Sequence, residues 1–445
     1  MSPSSTNSAS GSAPLPFAPQ PWDSADAVLG LREPAPAEPV DWPISMRRRR
    51  GYSPALADPR AAVSLREDDG VLRWTYEPPP AQALRGRARR TGGFSFGEVR
   101  TRFEYQDIGP NQVTEGLVAL DRRLTPHQGL RRWTGGALVP DDAPQVGAGR
   151  TLLLVHGTFS HSHMWFDQLG ATPAGQALLA QISAVYGDRV FAFDHPTLSV
   201  APWLNALDLQ RALRGIAGPI DIVCHSRGGL VTSWLLRLAP ARVRQAIFLG
   251  SPLAGTSLAS PYRLRVALDL LANVANALAL AGQAAATVFP LAAGAAGLAK
   301  VLGKTLQLGA AVPLADAAVA LVPGLASQQR ISNSAETRAL FGDRWLTQPK
   351  LAVVTADFEP NLDVPAWRFW SRFRHLGLQA AHMGADLVFP GANDLVVDTA
   401  SMDFFGEPAQ GKPQVLALGR TATTFHTNYV RDPAVVDFLA ARLAP

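Results

Sequence analysis

The sequence predicts an α/β fold with a doubly wound, mostly parallel sheet. Short apolar runs of strand length recur, stretches of helix length lie between them, and Gly or polar residues follow the runs. Strands that alternate with helices form parallel sheets wound by right-handed crossovers. The predicted strands are residues 151–155, 189–193, 220–223, 243–249, 350–355, 387–390 and 413–418.

Composition places the chain among proteins that fold around a sizeable core, since 47% of its 445 residues are hydrophobic and 17% are charged. The net charge of +5 comes largely from early arginines, at 47–50, 85, 87, 89 and 90. No nucleic-acid-binding module accompanies them, so we predict no nucleic-acid partner. The single cysteine excludes an internal disulfide and fits a reducing compartment. No secretory signal is visible, so we expect a cytoplasmic protein, with membrane association as the alternative.

Three regions of the chain differ in composition and in hydrophobic pattern. Residues 1–60 are rich in Ser, Pro and Ala and are predicted to be disordered, because they cannot bury enough apolar surface to offset their ordering entropy. Residues 61–150 are β-rich, with strands expected at 71–76 and 94–105. We predict that these strands lead into the main sheet, and a small separate β module is the alternative. Residues 151–445 carry the α/β alternation.

An apolar insertion at about 255–330 interrupts this alternation. Residues 270–299 contain no charged side chain. As one helix they would reach about 45 Å, more than the roughly 30 Å hydrocarbon core of a bilayer. Polar residues and Pro290 interrupt the stretch, so we predict a helical cap over the site described next. A membrane span and an ordinary buried insertion are the alternatives.

The stretch IDIVCHSRGGL, residues 220–230, has the layout of a nucleophile elbow, in which a strand, a tight turn and a helix present a Ser hydroxyl. Ser226 occupies the turn. Small residues are required two positions before and two after it, because the strand and helix backbones come close together. Gly228 fits this pattern, and Cys224 replaces the usual first Gly. Cys224 lies on the strand side, so we predict that it is buried and is not the nucleophile.

A Ser hydroxyl is a weak nucleophile and needs a base, which in turn needs a carboxylate to orient it. In doubly wound sheets of this kind the chain order is Ser, acid, His. His426 follows the last predicted strand and is the favoured base, while His375 and His382 are alternatives. Asp394, in the turn Gly-Ala-Asn-Asp, is the favoured acid. The rival acids are Asp357, Asp386, Asp398 and Asp403.

A tetrahedral oxyanion needs backbone N–H donors arranged around it. The Arg227 amide, at the start of the helix after Ser226, is one candidate. The other is the Thr158 amide, in the loop after the strand 151–155. His156, His161 and His163 lie in the same loop, but no carboxylate completes a ligand set, so no metal site is predicted.

The segments LLLVHGTF, VCHSRGG, LGSPLAGTSLA, GANDLVV and FHTNY together resemble the α/β-hydrolase lipases and esterases, especially the bacterial lipase and GPI inositol-deacylase-like branch. The resemblance covers about 151–445. It implies an α/β-hydrolase fold without a cofactor, with Ser226 as nucleophile, Asp394 as acid and His426 as base. It also implies that the Thr158 and Arg227 amides form the oxyanion hole. Cys224 departs from the family's motif, and the N-terminal third is unmatched.

We therefore expect a serine hydrolase of carboxylic esters, lipase-like on a hydrophobic acyl substrate and acting through an acyl-enzyme. The expected partner is a small-molecule or lipid ester, with peripheral membrane contact through the apolar cap. An acyltransferase, thioesterase or amidase would use the same residues. A catalytically inactive hydrolase fold that serves as an interaction module is the alternative from another class. The sequence does not predict an oligomeric state.

Overall fold

A computed structural model describes residues 60–68, 71–77, 98–106, 110–259, 294, 297–298, 322–331, 334–341, 349–359, 391–406 and 412–445. Of the segment 1–60, predicted to be disordered, only Arg60 is described, as the first residue of a strand. The predicted strand 387–390 and most of the apolar insertion lie outside the described residues. The strands are β1 (Arg60–Asp68), β2 (Val71–Glu77), β3 (Glu98–Gln106), β4 (Gly129–Trp133), β5 (Leu138–Pro140), β6 (Thr151–Val155), β7 (Val190–Asp194), β8 (Ile220–His225), β9 (Val243–Leu249), β10 (Lys350–Phe358) and β11 (Gln414–Thr421). The helices are α1 (Pro110–Leu124), α2 (His163–Gly170), α3 (Pro173–Tyr186), α4 (Pro202–Ala212), α5 (Gly228–Leu238), α6 (Pro323–Ala326), α7 (Ala335–Phe341), α8 (Thr399–Met402) and α9 (Pro433–Leu443).

The main sheet has eight strands in the order β11-β10-β9-β8-β6-β7-β4-β5. Strands β6 to β11 pair in parallel, and β4 pairs antiparallel with β7 and with β5. The predicted mostly parallel α/β sheet is thereby confirmed.

Helices cover both faces of this sheet. Successive side chains of a strand point to opposite faces, and β6 obeys this rule, since Leu153 and Val155 enter one core cluster and Leu152 and Leu154 enter the other. Helices α4 and α5 pack in the first cluster, and α2, α3 and α9 pack in the second. Strands buried on both faces need continuous apolar runs, which explains sequences such as TLLLV.

Local signals fix several helix ends. The Thr172 hydroxyl accepts a hydrogen bond from the Gly175 N–H at 3.1 Å, and Pro173 supplies the first residue of α3. Asp432 caps α9 in the same way, since its carboxylate accepts from the Ala434 N–H at 2.9 Å. Proline at the first helical position loses no hydrogen bond, because that N–H has no partner inside a helix.

The strand order reverses direction at β6. The next strand in the chain, β7, pairs with β6 on one side. The strand after that, β8, pairs with β6 on the other side. The loops after β6 and β8 therefore leave the carboxyl edge of the sheet in opposite directions. Such a switch point opens the crevice in which α/β proteins place their ligand sites.

The prediction that the strands at 71–76 and 94–105 lead into the main sheet is wrong. The strands found there, β2 and β3, both pair antiparallel with β1 and form a separate three-stranded sheet. Strand β1 lies between them and pairs along nearly its whole length with both, so its own backbone hydrogen bonds are made within this small sheet. The antiparallel strands that lead into the main sheet are β4 and β5.

Among the helices that the structure describes, none is long and apolar enough to cross a membrane. Of the uncharged stretch 270–299, only Gly294, Gly297 and Leu298 belong to the described residues.

The amino end of β8 carries a buried carboxylate, Asp221, whose partners come from three other elements of the sheet and its flanks. Its Oδ2 accepts from the Tyr186 hydroxyl at 2.6 Å and from Arg150 Nη2 at 2.9 Å. Arg244 Nε donates to Oδ1 at 2.6 Å. A buried charge is tolerated only with such a set of donors, and this cluster ties β8 to β9 and α3.

We expect Asp221→Asn to lower the free energy of unfolding by about 3 kcal/mol, because it removes the acceptor charge and sets an amide N–H2 against these donors. Urea unfolding followed by circular dichroism measures the change. Asp208→Asn is the matched control, since Asp208 pairs with Arg211 at 3.2 Å on the surface, and such pairs contribute about 0–1 kcal/mol. Equal losses in the two variants would contradict the role assigned to Asp221.

Candidate functional site

The turn after β8 holds Ser226 in a strained backbone conformation. Its φ is +54°, in the left-handed region that residues with a side chain rarely adopt. Helix α5 begins two residues later at Gly228, where an added Cβ would lie 2.5 Å from the Val155 carbonyl oxygen. Only Gly allows the turn to approach β6 so closely. Cys224 is buried in β8, and its Sγ donates to the Ile247 carbonyl at 3.4 Å.

The structure brings Ser226, His426 and Asp394 into one hydrogen-bonded chain. His426 Nε2 lies 2.8 Å from Ser226 Oγ, and His426 Nδ1 lies 2.8 Å from Asp394 Oδ2. All three side chains are buried. They are separated by 200 and 32 residues along the sequence, so the contact depends on the tertiary fold.

Asp394 is surrounded by donors. Its Oδ1 accepts from the backbone N–H groups of Val396 at 3.1 Å and Val397 at 2.8 Å, and its Oδ2 accepts from the Tyr429 hydroxyl at 2.8 Å. A carboxylate that receives these bonds acts as an acceptor, so the Nδ1 of His426 carries the hydrogen. The unprotonated Nε2 therefore faces the Ser226 hydroxyl, which is the orientation that proton abstraction requires.

A tight turn shapes the Asp394 loop, which lies between β10 and β11. Leu395 has a φ of +81°, and the Asn393 side-chain oxygen accepts from the Leu395 N–H at 2.9 Å. Asn side chains stabilise turns of this kind by bonding the backbone two residues on. The Asn393 carbonyl in turn accepts from the Phe358 N–H at 2.7 Å, which docks the loop on the end of β10.

The backbone of His426 is held on both sides. Its N–H donates to the Asp394 carbonyl at 3.0 Å, and its carbonyl accepts from His225 Nε2 at 2.6 Å. The rings of His225 and His426 lie 4.8 Å apart. Burial lowers the pKa of His225 to about 3, so this ring is a neutral donor at ordinary pH. His225 therefore positions the segment that carries His426 without adding a charge.

The loop after β6 lies against Ser226. A Cβ added to Gly157 would lie 2.6 Å from the Ser226 Cβ and 3.1 Å from its Oγ. Phe159 has a φ of +58°, and the Gln328 side chain donates to the Thr158 hydroxyl at 3.1 Å. Within the described part of the chain, neither the Thr158 nor the Arg227 backbone N–H donates a hydrogen bond. Two backbone donors are thus left beside the Ser226 turn.

The Arg227 side chain points into the protein and is fully buried. One of its N–H groups donates to the Val200 carbonyl at 2.5 Å, and burial lowers the pKa of its guanidinium to about 10. The neighbouring segment is fixed by Asp121 of α1, whose carboxylate accepts from the Thr197 and Ser199 N–H groups at 2.9 and 2.7 Å. The turn that carries Ser226 is thereby attached to the loop after β7.

The rival acids have other partners. Asp398 accepts from the Ser257 N–H at 2.9 Å and from its hydroxyl at 2.7 Å, and it lies 3.9 Å from Arg330. Asp357 accepts from the Asn393 N–H at 3.3 Å. Burial raises the pKa of Asp403. Asp386, His375 and His382 lie outside the described residues.

The histidines of the β6 loop bind other groups. His156 Nδ1 donates to the Gly157 carbonyl at 2.9 Å, and its Nε2 accepts from the His195 N–H at 3.2 Å. Burial lowers the pKa of His156 to about 4. The His161 and His163 rings form an edge contact at 5.7 Å. In the ranges that the structure describes, no three His, Cys, Asp or Glu side chains are grouped to hold a metal ion.

Sequence reasoning missed two residues of this site, His225 and Tyr429. Both lie next to predicted site residues along the chain, since His225 precedes Ser226 and Tyr429 follows His426 by three positions. Their positions in the sequence, close to the predicted nucleophile and base, could have indicated that they contact the site.

A family described as a domain of unknown function, DUF7379, matches residues 118–444, and the chain belongs to that family. A search of curated proteins finds no match. Among solved structures, the mature form of a Bacillus licheniformis lipase is similar at 15% identity, with 68% of this chain and 96% of the lipase covered and a TM-score of 0.35.

Two further solved structures show the same level of similarity. Lipase 1 from Pelosinus fermentans is 14% identical, with 67% of this chain and 99% of the lipase covered and a TM-score of 0.36. A thermophilic esterase from Thermogutta terrifontis is 15% identical, with coverages of 67% and 90% and a TM-score of 0.35. At this distance, any functional assignment has to rest on the residues of this chain.

We expect the folded protein to resist alkylation by iodoacetamide at neutral pH. Cys224 is buried, and burial raises the pKa of its thiol to about 12, so the reactive thiolate is absent and the reagent is excluded. Intact-mass spectrometry after timed exposure measures the modification. The same chain unfolded in urea is the control and should be modified completely. Rapid alkylation of the folded protein would contradict the assignment of Cys224 as a packing residue.

Proposed function

We propose that this chain has an α/β-hydrolase fold and is a serine hydrolase of carboxylic esters. The observation that carries the proposal is the unbroken contact from Ser226 Oγ through His426 to Asp394, with both heavy-atom distances at 2.8 Å. A nucleophile, a base within hydrogen-bond reach and a third group that orients the base are the parts that acyl transfer requires.

In the proposed reaction, Ser226 Oγ attacks the ester carbonyl carbon while His426 Nε2 takes the hydroxyl proton. The tetrahedral intermediate then collapses, the bond to the leaving alkoxide breaks, and His426 returns the proton to that oxygen. Water attacks the resulting acyl-enzyme by the same route and releases the carboxylic acid. Asp394 remains ionised, holds the tautomer of His426 and stabilises its positive charge during both steps.

The Thr158 and Arg227 amides are the proposed oxyanion donors. Both flank the Ser226 turn, and neither has a hydrogen-bond partner among the described residues. Loss of one such donor typically costs about 2.7–4 kcal/mol of transition-state stabilisation. The Thr158 hydroxyl is hydrogen-bonded to the Gln328 side chain, and this bond fixes the loop that supplies the first donor.

A hydrophobic acyl substrate is supported by the place where the apolar insertion leaves the fold. Its two ends are joined, because the Thr256 N–H donates to the Gln328 carbonyl and the Ile331 N–H donates to the Ala254 carbonyl, both at 2.8 Å. Gln328 also contacts Thr158, so the joined ends of the insertion lie beside the proposed oxyanion hole. Gly294 lies so close to Phe159 that an added Cβ would be 2.3 Å from its ring. The insertion that carries the uncharged stretch 270–299 is thus attached beside the loop after β6.

We expect a fluorophosphonate probe to label the wild-type protein at Ser226. Ser226→Ala should abolish labelling, and Asp394→Asn should slow it by about 10⁴-fold, since replacement of the orienting carboxylate by an amide has this effect on turnover in such triads. His426→Ala should slow it at least as much. Gel fluorescence and peptide mass spectrometry measure the rate and the site.

Ser233→Ala and Asp357→Asn are the matched controls for this experiment. Ser233 is a buried serine of α5 whose hydroxyl has no hydrogen-bond partner in the described part of the chain. Asp357, near the end of β10, is one of the rival acids. Both variants should label like the wild type. An unlabelled wild type with a normal circular dichroism spectrum would refute the proposed function.

Among p-nitrophenyl esters, we expect kcat/KM to be higher for octanoate than for acetate. Burial of one methylene contributes about 0.8 kcal/mol, so two buried methylenes already give about a tenfold increase. Initial rates below the solubility limit of each ester measure the preference. Hydrolysis that favours acetate would contradict the hydrophobic acyl site while leaving the triad proposal intact.

A further inference from the structure

Tyr429 and the proposed base, His426, both donate a hydrogen bond to the same oxygen of Asp394. Its hydroxyl donates to Asp394 Oδ2 at 2.8 Å, and the same oxygen accepts from His426 Nδ1 at 2.8 Å. Tyr429 is buried and opens a short 3-10 helix, Tyr429–Arg431, three residues after His426. The Tyr429 side chain therefore contacts Asp394, the acid that orients His426 in the same segment.

The residues around Tyr429 leave room for its ring beside Asp394. Gly250 follows β9 with a φ of +50°, and an added Cβ there would lie 2.6 Å from Tyr429 Cε2 and 2.9 Å from Asp394 Oδ2. The Met402 sulfur lies 3.6 Å from the Tyr429 hydroxyl. A side chain at position 250 would break the Tyr429–Asp394 contact, so the glycine preserves it.

The phenol remains a donor across the pH range in which an esterase operates. Burial raises the pKa of Tyr429 well above 10, and the adjacent Asp394 carboxylate raises it further. The donated proton therefore stays on the phenol oxygen, and the hydrogen bond withdraws negative charge from Oδ2.

We propose that Tyr429 is a positioning residue that fixes Asp394 and, by reducing the charge on Oδ2, keeps His426 unprotonated to lower pH. This inference rests on the proposed function, in which His426 must be neutral to accept the Ser226 proton. Without the Tyr429 hydroxyl, Oδ2 carries more negative charge, stabilises the imidazolium more strongly and moves the working range to higher pH.

Few other groups can shift this balance. Among the described residues, the titratable side chains that contact His426 or its partner Asp394 are His225, which lies against the His426 ring, and Tyr429, which bonds to Asp394. The Ser226 hydroxyl contacts His426 Nε2 and carries no charge. His225 is neutral at ordinary pH because burial lowers its pKa to about 3. The remaining donors to Asp394 are the uncharged Val396 and Val397 amides. The Tyr429 hydroxyl is thus the side-chain donor to Asp394 that a substitution can remove without changing a charge.

The test is the pH dependence of kcat/KM for Tyr429→Phe, which deletes one oxygen and keeps the ring. We expect the acidic limb of the profile to move up by about one pH unit, which corresponds to a change of about 1.4 kcal/mol in how much more strongly Asp394 interacts with the protonated than with the neutral form of His426. The rate should fall about tenfold at a pH on that limb and return towards the wild-type value at higher pH. An equal loss at every pH, without a shift, would overturn the proposal and leave Tyr429 a merely structural residue.

Tyr186→Phe is the matched control. Tyr186 is a second buried tyrosine that donates to a buried carboxylate, Asp221 Oδ2, at 2.6 Å, but at the opposite end of β8 from Ser226. This variant should lose comparable thermal stability and keep the wild-type pH profile. A shift of the same size in Tyr186→Phe would overturn the proposal, because it would trace the effect to general destabilisation.

A measurement that needs no turnover separates this inference from the proposed function. The imidazole of His426 can be titrated by NMR with labelled histidine, its signal assigned from its loss in His426→Gln. We expect the titration midpoint to move up in Tyr429→Phe and to stay unchanged in Tyr186→Phe. An unchanged midpoint in Tyr429→Phe refutes the inference even if the protein is an active esterase. A shifted midpoint supports it even if the fluorophosphonate probe fails to label Ser226.

Discussion

The close approach of two loops at the carboxyl edge of the sheet constrains the rest of the site. The turn after β8 and the loop after β6 come so near that Gly157 and Gly228 have no room for a Cβ. This contact requires Ser226 to adopt a positive φ, a conformation that costs of order 1–3 kcal/mol and persists only where the surroundings impose it. The buried sheet supplies that support, because β6 and β8 pair in register up to Val155 and Cys224.

The remaining groups reach Ser226 from the far end of the chain. The Asp394 loop docks on the end of β10, and the segment around His426 is held by Asp394 through its N–H and by His225 through its carbonyl. Each contact orients the next, so the Ser226–His426 distance depends on hydrogen bonds made by several loops. Because burial disfavours charge, a neutral His225 and backbone amides surround the carboxylate of Asp394.

Much of this arrangement could be predicted from the sequence, because it depends on local pattern and chain order. Apolar runs identify the parallel strands, the SRGG turn marks Ser226, and the order of Ser, Asp and His along the chain points to Asp394 and His426. The pairing of β1, β2 and β3 could not be predicted, since alternation identifies a strand but not its partner. The contacts of His225 and Tyr429 also depend on tertiary distances. Cys224 can replace the Gly of the usual motif because its side chain is small and is buried in β8.

A crystal structure of the protein inhibited by a phosphonate ester tests the central claim most directly, since the adduct imitates the tetrahedral intermediate. We predict a covalent bond from phosphorus to Ser226 Oγ and a phosphoryl oxygen that accepts hydrogen bonds from both the Thr158 and Arg227 amides, at about 2.7–3.1 Å. His426 Nε2 should face the oxygen that takes the place of the leaving group. Phosphorus bound to another residue, or a phosphoryl oxygen turned away from both amides, would contradict the account.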